Sequence, residues 1–99
     1  MSNFILTYDL NRSRPTHGQM DSHLLALGPN FVCVRILESV WYIAGPTNSV
    51  QLREYTQRIL TDNDLLIVVE ASNAAWTCLL VNGDQFKATF EANQRRLAA

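Results

Sequence analysis

Apolar positions in this chain come in short runs separated by polar punctuation, and the spacing inside each run separates strands from helices. Phe4, Ile5, Leu6, Thr7 and Tyr8 make a β-prone run too short for a helix, ending in Asp9, Leu10 and Asn11. This predicts a central strand. Asn11 to Gly18 holds Arg12, Arg14, Pro15 and His17, turn chemistry with two positive charges, and predicts an exposed, mobile loop. From about Gln19 the pattern turns helical, with Met20, Leu24 and Leu27 at helix spacing until Gly28 and Pro29 stop it.

Phe31 to Leu37 and Val40 to Ala44 are two further β-rich runs with only Glu38 and Ser39 between them, predicting a tight hairpin or a strand pair with a bulge. Beyond the breakers Gly45 and Pro46, Asn48 with Gln51 can form a capping box for a second helix through Leu52, Tyr55, Ile59 and Leu60. Arg53, Glu54, Gln57 and Arg58 fall on its solvated face. After the turn cluster Thr61 to Asp64, Leu65 to Glu70 is a continuous apolar run consistent with a strand buried on both faces. Strand, helix, strand, strand, helix, strand fits an α+β fold, the ferredoxin-like βαββαβ sandwich, in which two helices cover one face of a four-stranded antiparallel sheet. Ala74 to Val81, with Trp76, Leu79 and Leu80, predicts an extra fifth strand. Past Asn82 and Gly83, Asp84 is placed to cap a C-terminal helix with Phe86, Phe90 and Leu97 on one side and Arg95 and Arg96 near its end. This extra strand and helix are the material for covering the bare sheet face, in the same subunit or across a two-fold axis.

With 99 residues and no internal repeat or low-complexity linker, residues 1–99 read as one domain. A chain this small leaves roughly a third of its unfolded surface exposed after folding, so association into a homodimer is expected to add stability. Hydrophobic residues at 47% and charged residues at 17% exclude a disordered chain. A net charge of -1 and a pI near 6.0 exclude general attraction to phosphate backbones, so a nucleic-acid partner would need a local basic patch. No apolar run approaches a membrane span and the start lacks a signal-peptide pattern, which predicts a cytoplasmic protein without a membrane partner. Cys33 and Cys78 sit in apolar runs without metal spacing and read as small buried hydrophobes.

Three stretches carry a family resemblance: Leu6 to Asn11 at the end of the first strand, Leu37 to Trp41 at the hairpin, and Asp62 to Val68 leading into the fourth strand. With Ala74, Ala75 and Trp76 they resemble the SinR-like group of small bacterial proteins, itself similar to the CRISPR-associated Cas-two proteins, over roughly residues 4 to 80. The resemblance implies a ferredoxin-like homodimer with its sheets packed face to face and a strand-end aspartate, here Asp9. In Cas-two proteins that aspartate and its symmetry mate can hold a divalent metal for phosphodiester cleavage, while the dimer also serves as a DNA scaffold in CRISPR adaptation. Leu37 departs from that pattern, which has glutamine before the Ser-Val-aromatic stretch.

Asp9 suits a Mg²⁺ site chemically, since a hard oxygen ligand near a dimer axis can share an ion with its mate, although two carboxylates leave the metal leaning on water and substrate phosphate. Capping of the following loop by the same carboxylate is the structural alternative. Arg12, Arg14 and His17 are the nearest approach to a basic cluster and the candidate nucleic-acid contacts. Ser39 has no triad partners, and Trp41, Tyr42 and Trp76 read as core or interface aromatics rather than base-stacking platforms. The expected function is a dimeric, nucleic-acid-associated binding or scaffold module. The alternatives are a Mg²⁺-dependent endonuclease using Asp9 and a component of a toxin-antitoxin or phage-defence operon.

Overall fold

A computed structural model describes residues 2–11 and 13–98, the last five by backbone alone. Arg12, predicted as a nucleic-acid contact, and the side chains of Arg95, Arg96 and Leu97 lie outside the described residues. Four strands, β1 (Ser2–Asp9), β2 (Val32–Leu37), β3 (Val40–Gly45) and β4 (Leu65–Glu70), alternate with helices α1 (His17–Leu25) and α2 (Ser49–Thr56). A longer helix, α3 (Gly83–Ala98), follows. The strands form one antiparallel sheet in the order β2-β3-β1-β4, with β1 central as its apolar run implies.

Local chemistry sets the boundaries. Thr16 and Gln19 form a reciprocal capping box that starts α1 at His17, two residues ahead of the apolar pattern. Gly28, at φ 109°, supplies the left-handed residue that turns the chain after α1. Asn48 accepts from the Gln51 amide, but Gln51 spends its own carbonyl on the Thr47 hydroxyl, so only half of the second predicted box forms. Asn82, not Asp84, caps α3, its oxygen accepting from the amides of Asp84 and Gln85. The β2–β3 hairpin turns at Glu38 and Ser39 with a register shift between Arg35 and Leu37. Phe31 lies so close over Gly45 that a Cβ there would meet the ring at 2.1 Å.

Strand alternation gives the sheet two faces. On one, Phe4, Leu6, Tyr8, Trp41 and Ile43 pack beneath Met20 and Leu24 of α1 and Leu52 of α2. On the other, Ile36, Tyr42 and Ala44 pack against Phe86 and Phe90 of α3, with Trp76, Leu79 and Val81 alongside. The second face is thus covered by the chain itself. The Phe86 ring meets Tyr42 edge-on at 4.8 Å and Trp76 at 4.7 Å, geometries worth about 1 kcal/mol each beyond area burial.

The predicted fifth strand over 74–81 does not form. Among the described residues its backbone tie to the sheet is the Leu80 amide donating to Ile36 at the β2 bulge, and the segment otherwise lies as an irregular strap whose Trp76 and Leu79 face the second core. Asn73, Ala74 and Ala75 at its start are poor strand formers, so packing of Trp76 decides its path. The reading of β4 as buried on both faces also fails. Leu66 and Val68 face the first core, but Leu65, Ile67 and Val69 are 59%, 57% and 46% exposed. β4 is an edge strand, and α3 lies over β1 and β3 without reaching across it.

A buried polar network fixes α3 in place. The Asn3 amide nitrogen donates to the Phe90 carbonyl at 3.0 Å, and its oxygen accepts from the Tyr42 hydroxyl at 2.5 Å and the Asn93 amide at 3.0 Å. Asn3→Ala removes the side-chain donor to the Phe90 carbonyl and the acceptor of the Tyr42 hydroxyl, leaving the Asn93 amide only its 3.4 Å bond to that hydroxyl, and should cost about 3 kcal/mol in urea unfolding. Tyr42→Phe, which leaves Asn3 its Asn93 partner, should cost only about 1 kcal/mol. An Asn3→Ala midpoint equal to that of the parent would contradict this account of how α3 is held.

Candidate functional site

Asp9 is the last residue of β1 and is exposed. Its backbone pairs with Leu65 of β4, and alternation puts its side chain on the face that carries Leu65, Ile67 and Val69. Around it lies a shallow hollow of about 170 Å³ lined by Thr7, Tyr8, Leu65, Leu66 and Ile67. Tyr8, one residue earlier, projects to the opposite face, where its ring lies 6.0 Å from that of His17.

Arg14 belongs to that opposite side as well. With Thr16, Ser22, His23, Ile59 and Thr61 it lines a wide cleft of about 820 Å³ along the start of α1. Asp9 and the Arg14–His17 loop therefore occupy different faces of the sheet, separated by the alternation of one strand. Arg14 and His17 are exposed, and the structure does not bring them to the Asp9 hollow. Among the described residues no group of three or more His, Cys, Asp or Glu side chains is disposed to hold a metal ion. Asp64, not Asp9, ties down the neighbouring loops, its carboxylate accepting from the amides of Asn11 and Thr61 and from the Thr61 hydroxyl.

No family model, curated protein or solved structure matches the chain. The SinR-like and Cas-two resemblance therefore rests on the quoted motifs alone, and the site has to be read from its own geometry. No helix among the described residues is long and apolar enough to cross a membrane.

Several polar arrangements had no signal in the sequence pattern. Arg35 pairs with Asp21 of α1 and lies over the Trp41 ring, 5.6 Å from its centroid. His23 is half-buried and stacked on Tyr55 at 4.2 Å, and each residue bonds the other's backbone carbonyl. These pairs join residues 14 and 32 positions apart, beyond the reach of helical or strand periodicity. Next to the second core a hollow of about 380 Å³ opens between Ile5, Leu37 and Val40 on the sheet and Trp76, Cys78 and Leu79 on the strap. Together with the β4 strip it makes the uncovered part of this face strongly apolar.

The thiols differ in environment. Cys78 is exposed, contrary to its reading as a buried hydrophobe, because the strap carrying it is not a strand. Cys33 is half-buried against the first core, and burial pushes its pKa from an ordinary 9.0 to about 11. Burial also raises the Tyr42 phenol, an effect that its hydrogen bond with Asn93 partly offsets. In both cases the folded state favours the neutral form, so this contribution to stability is intact below the unfolded pKa and lost as pH rises through the folded one. Urea unfolding should show stability level up to about pH 9 and falling toward about pH 11. Near pH 8, iodoacetamide should label Cys78 well before Cys33, and equal labelling rates would contradict the placement of the two thiols.

Proposed function

We propose that this chain is a ferredoxin-like binding or scaffold module that recruits a protein partner along the open β4 edge of its sheet. The strand order β2-β3-β1-β4, with α1 and α2 on one face, supports the ferredoxin-like assignment. The observation that carries the functional reading is the row of exposed Leu65, Ile67 and Val69 on an edge strand that neighbours only β1. Folded proteins usually blunt such an edge with lysine, proline or a bulge, and β4 has none of these. A contiguous apolar strip on an edge strand is a surface built for contact.

α3 covers part of the sheet face on which a homodimer was expected to pack, which favours assembly at the β4 side. Protein is favoured over nucleic acid as the partner because Asp9 on the same face and Asp62 ahead of β4 are exposed and acidic, Glu70 ends the strand, and the net charge is -1. The nuclease alternative would require Asp9 to gather basic or metal-ligating company, but Arg14 and His17 lie across the sheet and no group of three or more ligating side chains forms among the described residues.

A random peptide display selection against the folded protein should yield binders that lose at least about tenfold in affinity on Ile67→Lys, since a charge there disrupts the strip without disturbing the core. Single- and double-stranded DNA and RNA should remain intact when incubated with the protein and Mg²⁺ or Mn²⁺. Binders indifferent to Ile67→Lys, or cleavage that disappears in Asp9→Ala, would contradict this reading.

A further inference from the structure

The antiparallel ladder between β1 and β4 has a fixed phase. The Ala71 amide donates to the Asn3 carbonyl at 2.8 Å, so in the same register Val69, Ile67 and Leu65 direct their backbone groups toward β1. Leu66, Val68 and Glu70 then direct their N–H and C=O groups outward from the sheet. On the α3 side of the same strand, the side chains of Leu65, Ile67 and Val69 stand beside this row of backbone donors and acceptors. The edge thus offers both halves of strand addition, main-chain hydrogen bonds and a one-sided aliphatic ladder.

Charge narrows the occupant. Between Leu65 and Val69 the strand is uncharged, but Asp62 precedes it, Asp9 flanks Leu65 on the same face, and Glu70 closes the far end with its side chain on the opposite face, all three exposed. Arg14, Arg35 and Arg53 belong to the other layer or to the far side of the sheet, while Lys87 of α3, on the same side as the strip, lines a hollow with Asn73 and Glu91. A second copy added about a two-fold axis runs antiparallel, and centring it on Ile67 sets Asp64 opposite Glu70 of its mate at both ends. Like charges directly opposite in a strand pair are unfavourable, so in that register the ends of β4 disfavour a second copy and favour a strand with basic ends.

Resting on the binding-module reading above, we propose that β4 is the docking site for an extended peptide segment of another protein, with alternating aliphatic residues and lysine or arginine at both ends. The segment adds antiparallel to β4 as a fifth strand. Its aliphatic side chains stand beside Leu65, Ile67 and Val69, its backbone pairs with Leu66, Val68 and Glu70, and its terminal cations meet the acidic ends. Affinity comes from the backbone pairing and the aliphatic strip, and discrimination among extended segments comes from the two acidic ends.

Two fluorescein-labelled peptides test this by anisotropy: Lys-Lys-Val-Thr-Ile-Thr-Val-Lys-Lys and the same core with glutamates in place of the lysines. The lysine peptide should bind the parent protein at least about tenfold more tightly, and the gap should narrow in about 0.5 M salt. In the double variant Asp9→Lys, Glu70→Lys, two exposed positions whose replacement leaves the core intact, the preference should reverse. Equal binding of both peptides with loss of both on Ile67→Lys would overturn the basic-ended partner while leaving the edge reading standing. Binding of either peptide that is indifferent to Ile67→Lys, or no binding of either, would overturn the edge site itself. A dimer by light scattering with the outward β4 amides protected would replace the foreign strand with a second copy, and so also overturn the proposal.

Discussion

The structure depends on how α3 is attached to the sheet. Apolar packing of Phe86 and Phe90 supplies the larger share of the driving force, about 2 kcal/mol for each buried ring, but an aromatic contact alone tolerates sliding and rotation. The Asn3 amide removes that freedom, because each of its polar atoms is committed to a particular partner, a main-chain carbonyl, a tyrosine hydroxyl and a second amide. A buried group of this kind is unfavourable in every registry of the helix except the one that satisfies it. The helix is therefore a fixed part of the fold, and the face it covers is closed.

Closure of that face is unequal. Tyr42, Ala44 and Ile36 lie beneath α3 and the strap, while the β4 side chains on the same face remain in solvent. A helix of this width set over β1 and β3 leaves the strand beyond β1 uncovered. The chain fills that strand with aliphatic residues all the same. On the other face, α1, α2 and the following turn bury Leu66 and Val68 in part. The contrast between one strand's two faces leaves an aliphatic strip on an edge strand, with the exposed carboxylates of Asp9 and Asp62 close to one end.

Much of this architecture was legible in the sequence. The run Phe4 to Tyr8 between two polar stretches reads as a central strand, and the Glu38–Ser39 spacing reads as a hairpin, because period and punctuation act locally. The C-terminal aromatics were recognisable as a cover for the sheet, but whether they served the same subunit was not, since that depends on a polar network linking residues 3 and 93. The apolar run Leu65 to Val69 misled for a physical reason. Burial on both faces and exposure for a partner demand the same residues, and strand order alone distinguishes them. Asp9, Arg14 and His17 looked like a cluster because they are close in sequence, yet one step of strand alternation sends Asp9 to the face opposite the loop. Cys78 was misplaced by the same kind of long-range determinant, the path of the strap.

Residue-resolved amide hydrogen exchange on the free protein tests the central claim, a sheet sealed by its own helix on one side and open at the β4 edge. The amides of α3 around Phe90 should exchange only with global unfolding, alongside those of β1. Leu66, Val68 and Glu70 should exchange rapidly while Ile67 and Val69 stay protected. Local opening of α3 well below the global limit, or uniform protection along β4 in the absence of any partner, would contradict it.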